Sequence, residues 1–437
     1  MKQKWIAILL SIVFCYGGTV LLAQSEHAKT VAKQLAITHP EYAGDILVTK
    51  PDFVVFAPEK ELDKVGDTYN DHFQVFDKPD GTLFAVWTQG TTEGFHDMHI
   101  AFSRSFDKGL TWSKPVILGG SANNVNPQLT ARWQQPLVSK SGRIYVLWNQ
   151  QISNTGNQHC GEMFGVFSDN NGDTWSPPEK VTFGRDTIEN GPDDPIPVWC
   201  NWQRPLRLAE NDKYITPSSR HRVSYKDYRV VTEYIRFENI DANPAVRDIQ
   251  LSWFMEGDNA LTWNKGYSDT CEESSIVKLP DGRLFTVMRT AAGYPVWSVS
   301  SDRGETWTEP KPLRDRDGGE VYKQPRSPCP IYDRKGPEAG SGDYFMFVHN
   351  TFDPNAENEW QKRGPLYLLA GKFMPDAEQP VWFAPPQLFN ERPEGNSFYT
   401  SCTLVDGKTV LWYGDKKFYL LGRYIGDEWF KYWDGQK

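Results

Sequence analysis

Histidine is the side chain best suited to moving protons near neutral pH, and the chain contains eight of them. His72 lies in the segment NDHFQVFDKPDG, and His96 lies in GFHDMHIAFSRS. A histidine base, a tyrosine acid and an arginine that faces a carboxylate together suit proton abstraction beside that carboxylate, because neutralising it stabilises the enolate-like intermediate. A capping or core role explains either histidine equally well.

The charge of the chain limits which partners it can have. Its 437 residues include 47 Lys and Arg against 56 Asp and Glu, for a formal net charge of −9. Neither nucleic acid nor an anionic membrane is expected as a partner, because both need a basic field. An anionic ligand must instead meet a local group of arginines. The sequence also has no phosphate-binding loop and no cofactor fingerprint, so no cofactor is predicted.

Cysteine spacing bears on metal binding and on disulfides. Five cysteines follow the N-terminal segment, at Cys160, Cys200, Cys271, Cys329 and Cys402. They are far apart and include no CxxC pair, so the sequence predicts no metal site. One or two disulfides are possible in an oxidising compartment, and the odd count leaves at least one thiol over.

The N-terminal segment is typical of a secretory signal. Lys2 and Lys4 precede a short apolar run that ends on small residues near Ala23. We therefore predict a signal peptide over residues 1–23, and a secreted or periplasmic protein over 24–437 without membrane insertion. A membrane anchor is the alternative, although the apolar run is short for a span.

One phrase recurs along the chain with small changes. It reads SFDKGLTW at Ser105–Trp112, SDNNGDTW at Ser168–Trp175 and SSDRGETW at Ser300–Trp307, with a degenerate copy, EGDNALTW, at Glu256–Trp263. Asp and Gly favour a tight turn, and the Trp would pack under that turn and hold it. The phrase therefore has a structural role, and its repetition indicates a repeat architecture.

A second repeat consists of two apolar runs joined at a turn, as in FDKPDGTLFAVW and VKLPDGRLFTVM. Such hairpins, together with the richness in aromatic residues, Gly and Pro, indicate an all-β fold. We predict a single six-bladed β-propeller of four-stranded antiparallel blades. The strand at Phe53–Pro58 would complete the last blade and close the ring. The predicted blades span residues 69–120, 125–185, 198–268, 271–315, 323–390 and 396–435.

The recurring phrase resembles the Asp-box, or BNR, repeat of sialidases and their relatives, and the resemblance covers nearly all of the chain after residue 23. Sialidases use a tyrosine nucleophile with a glutamate partner, an aspartate acid/base, and three arginines that clamp a carboxylate. The resemblance implies the nucleophile at Tyr399, in NSFYTSCTLVDG, and its base at Glu273, in ESSIVKLPDGRLFTVMR. Strand alternation predicts that only one of Glu272 and Glu273 faces the centre, and the spacing to Leu279 favours Glu273.

The same resemblance implies the other members of the site. Arg289 ends the hairpin that Glu273 opens, and Arg363 lies where the fifth blade supplies another arginine. Arg326, in QPRSPCPIY, is an additional candidate for holding the carboxylate. Asp97 lies in the first-blade loop where the family has its acid/base. The implied substrate is an acidic oligosaccharide that carries sialic or uronic acid.

One segment departs from the sialidase pattern. Sialidases begin the first blade with an Arg-Ile-Pro phrase, whereas this chain has Asp71 and His72 there and no arginine. His72 with His96 is similar to the His-and-Tyr sites of propellers that modify uronic-acid glycans. Glycoside hydrolysis is therefore the first hypothesis. Elimination by a lyase or dehydratase, with a histidine base and Tyr399 as acid, is the second, and a non-catalytic glycan-binding propeller is the third.

Overall fold

The computed structural model describes the greater part of the chain, namely residues 26–59, 66–78, 80–120, 130–152, 159–184, 197–208, 213–224, 227–263, 270–336, 340–351, 363–392 and 398–434. The predicted signal segment at 1–23 lies outside these residues. Over the described ranges, no helix is both long and apolar enough to span a bilayer. The α-helices are α1 (26–35), α2 (Tyr42–Asp45) and α3 (Lys431–Asp434). The 3₁₀ helices are at Ile46–Thr49, Ile240–Ala242, Val246–Asp248, Gly257–Asn259 and Asp427–Phe430.

The strands form six antiparallel sheets, which confirms the predicted six-bladed propeller. A strand before the first blade is β1 (Phe53–Phe56). The first blade contains β2 (Tyr69–Asp77), β3 (Leu83–Gly90), β4 (His99–Ser105) and β5 (Val116–Gly120). The second blade contains β6 (Ala131–Val138), β7 (Ile144–Gln151), β8 (Gly161–Ser168) and β9 (Glu179–Lys180).

The third blade departs from the four-strand pattern, because two short strands pair with one long one. It contains β10 (Trp199–Cys200), β11 (Leu206–Leu208), β12 (Lys213–Ser224), β13 (Asp227–Phe237) and β14 (Leu251–Phe254). The fourth blade has the regular order β15 (Glu272–Lys278), β16 (Leu284–Arg289), β17 (Val296–Ser300) and β18 (Lys311–Pro312).

The fifth blade also has an additional strand, since two strands pair with β21 on its outer side. It contains β19 (Ile331–Asp333), β20 (Asp343–Val348), β21 (Leu366–Phe373), β22 (Val381–Phe383) and β23 (Gln387–Asn390). The sixth blade contains β24 (Thr400–Val405), β25 (Lys408–Asp415) and β26 (Tyr419–Tyr424). Its fourth strand is β1, which pairs antiparallel with β26, so the predicted closure of the ring is confirmed.

Polar side chains at the inner edge of the blades join each blade to the next. Gln203 Oε1 accepts the backbone N–H of Ile276 at 2.7 Å. Ser275 Oγ accepts that of Ile331 at 3.0 Å, and Ser401 Oγ accepts that of Val75 at 2.7 Å. These hydrogen bonds satisfy backbone N–H groups that have no partner within their own sheet, and they hold the inner strands of neighbouring blades in register.

The Asp-box turns have the predicted structural role and also link blades. In the first copy, Asp107 Oδ1 accepts the backbone N–H of Thr111 at 2.8 Å, and Trp112 Nε1 donates to the carbonyl of Gly109 at 3.0 Å. The Trp ring then packs edge-on against Trp412 of the sixth blade, with centroids 5.9 Å apart. The first box therefore pins its own turn and packs against the preceding blade. Trp175 and Trp307 of the next two regular boxes also pack against the preceding blade, on Phe102 and Tyr234.

The cysteines do not form the disulfides that the sequence left possible. All five that the structure describes are buried, and none of them forms a disulfide. The described thiols belong to different blades, so none is near enough to another to pair. Cys200 is the one among them that lines the central pocket, where it meets two histidines.

Candidate active site

A polar pocket of about 160 Å³ opens at one end of the inner strands, near the propeller axis. Its lining comes from several blades, as expected for a site at the centre of a wheel. Of the residues predicted from the sequence, it includes His72, Glu273, Arg289, Arg326 and Tyr399. It also includes residues that sequence reasoning missed, namely Tyr69, Glu93, Met98, Arg132, Trp133, His159, Cys200, His221, Glu272 and Lys417.

The inner strands of three blades break their regular register as they reach this pocket. The breaks contain His72, Trp133 and Glu273, whose φ angles are 53°, 53° and 46°. Left-handed backbone at residues other than glycine costs about 1–3 kcal/mol and concentrates at functional sites. Because the break removes strict alternation, Glu272 and Glu273 both line the pocket. The prediction that only one of them faces the centre is therefore wrong.

Tyr399 and Glu273 meet inside the pocket. The phenol of Tyr399, just before β24, donates to Glu273 Oε1 at 2.5 Å. Burial raises the pKa of this phenol, and the nearby charges of Arg289 and Arg363 only partly oppose the rise. Tyr399 is therefore a neutral phenol whose proton already points at a carboxylate.

Arginines surround the two glutamates. Arg326 Nε contacts Glu272 Oε1 at 2.5 Å, and Arg289 Nε lies 3.4 Å from the same oxygen. Arg289 also forms an ion pair with Glu273. Burial alone would raise the pKa of Glu272, but the charges of Arg289 and Arg326 hold that pKa at about 2. Glu272 is thus a carboxylate that is ionised at neutral pH and orients two arginines.

Arg363 lies directly behind this group. Its Nη2 donates to the backbone carbonyl of Arg326 at 2.5 Å, and the residue is 2% exposed. Burial, and next the charge of Arg289, lower the pKa of Arg363 to about 9. Arg289, Arg326 and Arg363 outnumber Glu272 and Glu273 by one charge, so the group as a whole favours an anion.

His72 lies against the nucleophile candidate, with its ring centroid 4.6 Å from that of Tyr399. Its Nε2 accepts the indole N–H of Trp133 at 3.1 Å, and its Nδ1 lies 3.3 Å from Thr88 Oγ1. An indole can only donate, so Nε2 carries no proton and Nδ1 carries one. Burial lowers the pKa of His72, so the imidazole is neutral with its lone pair already engaged.

Lys417 is paired with Asp71, which lies in the segment where sialidases have the Arg-Ile-Pro phrase. Asp71 Oδ2 accepts the Tyr69 hydroxyl at 2.9 Å and contacts Lys417 Nζ at 2.9 Å. Lys417 Nζ also contacts Glu93 at 2.7 Å. The charge of the Asp71 carboxylate is therefore balanced by Lys417, which comes from the sixth blade.

In the first-blade loop at residues 91–97, only some of the side chains reach the pocket. The Asp97 carboxylate accepts the Thr91 backbone N–H at 3.1 and 3.2 Å and the Thr91 hydroxyl at 2.6 Å. His96 packs on Phe95 with ring centroids 4.0 Å apart. Among the described side chains that line the pocket, Glu93 represents this loop, and His96 and Asp97 are absent.

A family model of the BNR repeat-like domain matches residues 81–410, which is most of the chain. The chain belongs to this family. Its fold is a six-bladed propeller of the sialidase-like kind. None of the curated proteins matches the chain.

Solved sialidases have the same fold. The Hadza microbial sialidase Hz136 matches 83% of this chain and 66% of its own at 16% identity, with a TM-score of 0.59. The NanB sialidase from Streptococcus pneumoniae matches 85% and 69% at 13% identity, with a TM-score of 0.59. The intramolecular trans-sialidase from Ruminococcus gnavus, in complex with oseltamivir carboxylate, matches 86% and 97% at 14% identity, with a TM-score of 0.58. At these identities the likeness is one of fold.

Proposed function

We propose that this BNR repeat-like protein is a secreted glycoside hydrolase that removes a carboxylated sugar, a sialic or uronic acid, from an acidic oligosaccharide. The observation that carries the proposal is the 2.5 Å hydrogen bond from the Tyr399 hydroxyl to Glu273 inside a pocket bordered by arginines.

The pair suits nucleophilic attack on a sugar that is itself an anion. A neutral phenol approaches such a sugar without the charge repulsion that a carboxylate nucleophile would meet. In the step, the Tyr399 oxygen bonds to the anomeric carbon, its proton passes to Glu273, and the glycosidic C–O bond breaks. Water then releases the sugar from Tyr399, so the configuration at the anomeric carbon is retained.

The arginines supply the charge that holds the sugar. Arg289 and Arg363 repel each other in a buried region, so a substrate carboxylate between them relieves that repulsion. Arg326 fixes the arrangement through Glu272 and through its backbone carbonyl. In this proposal, the arginine that sialidases carry in the first blade is replaced by Lys417, which approaches the pocket from the sixth blade.

The leaving oxygen needs a proton from the loop at residues 91–97. Both Asp97 oxygens accept hydrogen bonds from Thr91, whereas Glu93 lines the pocket with its side chain 49% exposed. We assign the general acid to this loop, with Asp97 as the candidate from the family pattern and Glu93 as the candidate from position. An activated aryl glycoside separates them, because its leaving group departs without a proton. The acid is the residue whose amide variant loses activity on the natural glycoside and keeps it on the aryl glycoside.

Elimination is supported less well than hydrolysis. A lyase would need a histidine with an available lone pair near the substrate. His72 already accepts the Trp133 indole N–H through Nε2, and His96 packs on Phe95. The lyase hypothesis therefore requires a rearrangement around His72 that the hydrolase hypothesis does not.

The deciding experiment is incubation of the purified protein with sialylated and uronate-containing oligosaccharides, followed by mass and by ultraviolet absorbance. A product heavier by one water, without a new chromophore, supports hydrolysis. A product of unchanged total mass with a conjugated double bond establishes elimination instead. Glycan binding that is identical in wild type and Tyr399→Phe, with no turnover, would establish a binding protein.

A further inference from the structure

Three side chains capable of binding a metal meet on one wall of the central pocket. His159, Cys200 and His221 each offer one ligand atom, and these atoms lie within 4.8 Å of one another. The thiol of Cys200 is 3.3 Å from His221 Nε2, and the two imidazole rings are stacked with centroids 4.1 Å apart. All three residues line the pocket.

The backbone holds the three residues together independently of their side chains. The N–H of Trp199 donates to the carbonyl of His159 at 3.1 Å, and the N–H of His221 donates to that of Val198 at 2.9 Å. Cys200 lies on β10, which pairs with β12 where His221 is located. The strand pairing of the third blade and the end of a second-blade loop therefore fix all three Cα positions, which is the preorganisation that a metal site needs.

Cys200 and His221 both have atoms that could bind a metal ion. His221 is 2% exposed, and within the described ranges its Nδ1 has no hydrogen-bond partner. Cys200 and His221 meet through Sγ and Nε2, and a metal ion bound between these two atoms would replace their weak contact.

We propose that His159, Cys200 and His221 bind one transition-metal ion of the zinc class, with the fourth coordination position open to the central pocket. A thiolate with two imidazoles selects zinc or copper over calcium or magnesium, which prefer oxygen ligands. Three protein ligands beside a cavity are the arrangement of an open site, whereas structural zinc sites use four.

The geometry requires only a small adjustment. Zinc bonds of about 2.0–2.3 Å in a tetrahedron place ligand atoms roughly 3.5 Å apart. Cys200 Sγ and His221 Nε2 are already about this far apart, at 3.3 Å. The three ligand atoms lie within 4.8 Å of one another, which is about 1 Å more than a tetrahedral site requires. The His159 ring, which is the most exposed of the three, must therefore tilt out of its stack to direct its nitrogen to the ion.

The test uses the full-length protein, stripped with a chelator and then titrated with Zn²⁺ and, separately, with Co²⁺. We expect one zinc per chain by elemental analysis, and a thiolate-to-cobalt charge-transfer band in the near ultraviolet. Cys200→Ser should abolish the band. His221→Asn should weaken zinc binding by at least about tenfold, because replacing a residue that only hydrogen-bonds to a metal ligand already causes a loss of that size. Cys402→Ser is the matched control, because that thiol is buried in the sixth blade, and it should leave both readouts unchanged.

Two results would overturn the proposal. One is wild-type protein that binds no more zinc than Cys200→Ser, and the other is a cobalt band that persists in that variant. Circular dichroism of each variant without metal checks that it folds, and His221→Asn provides a second test if Cys200→Ser is unstable. Tyr399→Phe should bind zinc normally, so the metal site and the hydrolase proposal succeed or fail separately.

Discussion

The Tyr399 hydroxyl and the Glu273 carboxylate are 126 residues apart in the chain and 2.5 Å apart in the folded protein. They come from the sixth and the fourth blade, so only the closed ring brings them together. The short bond joins a neutral phenol to a carboxylate that can take its proton, and the proposed hydrolysis depends on it.

Replacing the base should separate binding from chemistry. We expect Glu273→Gln to lower kcat by about 10²–10⁴, because an amide accepts the phenol hydrogen bond but cannot take the proton. KM should change far less. Glu378→Gln, at an exposed surface carboxylate, is the control and should leave both constants unchanged. A Glu273→Gln enzyme with near wild-type kcat would contradict the role of the base.

A covalent intermediate should form on the nucleophile. A substrate fluorinated next to the anomeric carbon slows release of the sugar from the enzyme, so mass spectrometry of the digested protein should find the sugar on the peptide that contains Tyr399. Tyr399→Phe should give no adduct. A sugar attached to any other peptide, or unlabelled wild-type protein that nevertheless turns over the natural substrate, would exclude this nucleophile.

The ion pairs of Glu272 should make stability depend on pH in a definite window. Burial opposes ionisation of Glu272, but Arg289 and Arg326 hold its pKa at about 2 against an ordinary 4.5. Because the folded-state pKa is the lower one, the stabilisation is complete above pH 4.5 and is lost as the pH falls towards 2. The shift corresponds to about 3 kcal/mol.

Urea unfolding of wild type and Glu272→Gln across this window measures the effect. The free energy of unfolding of the wild type should fall more steeply with acidification, because the glutamine does not titrate. Glu378→Gln should follow the wild type. Parallel pH curves for wild type and Glu272→Gln would show that Glu272 titrates alike in the folded and unfolded chain.

The fold was predictable because its signals are local and repeated. Each Asp box and each hairpin turn marks a fixed place in a blade, and each sheet lies within the range predicted for its blade. The closing strand β1 was also predictable, since an apolar run outside the repeats would otherwise leave an edge unpaired. The additional strands β11 and β23 have no such repeated signal, so the sequence did not indicate them.

The site was predictable only where a motif fixed the residue. Tyr399 and Glu273 follow the family pattern, and they meet. Loop residues were not distinguishable in this way, because composition does not show whether Glu93 or Asp97 turns inward. His159 and Cys200 were missed because their meeting depends on how residues 159–160 of the second blade pair with Val198 and Trp199 of the third.

The Asp-box turn provides a test of the structural role assigned to it. Asp302 accepts the backbone N–H of Thr306 at 2.9 Å and its hydroxyl at 2.5 Å. Asn170 replaces the aspartate in the second box and keeps the corresponding backbone bond to Thr174 at 3.0 Å. Asp302→Ala should therefore lower the free energy of unfolding by about 1–3 kcal/mol, and Asp302→Asn by less than about 1 kcal/mol. Chemical denaturation measures both, and equal losses would contradict the turn-capping role.

Closure of the ring by β1 should be a large contribution to stability. Phe53 is fully buried, and its ring packs against Trp412 and Tyr424 with centroids 5.1 and 5.3 Å away. Phe53→Ala removes this contact between the first and last parts of the chain and should lower the free energy of unfolding by about 3–5 kcal/mol. Phe106→Ala, at a ring that is 65% exposed, is the matched control and should cost far less. Tyr399 comes immediately before β24, the inner strand of this blade. Phe53→Ala should therefore also lose activity at a lower temperature than wild type. A variant with wild-type unfolding and thermal inactivation would show that the ring stays closed without this contact.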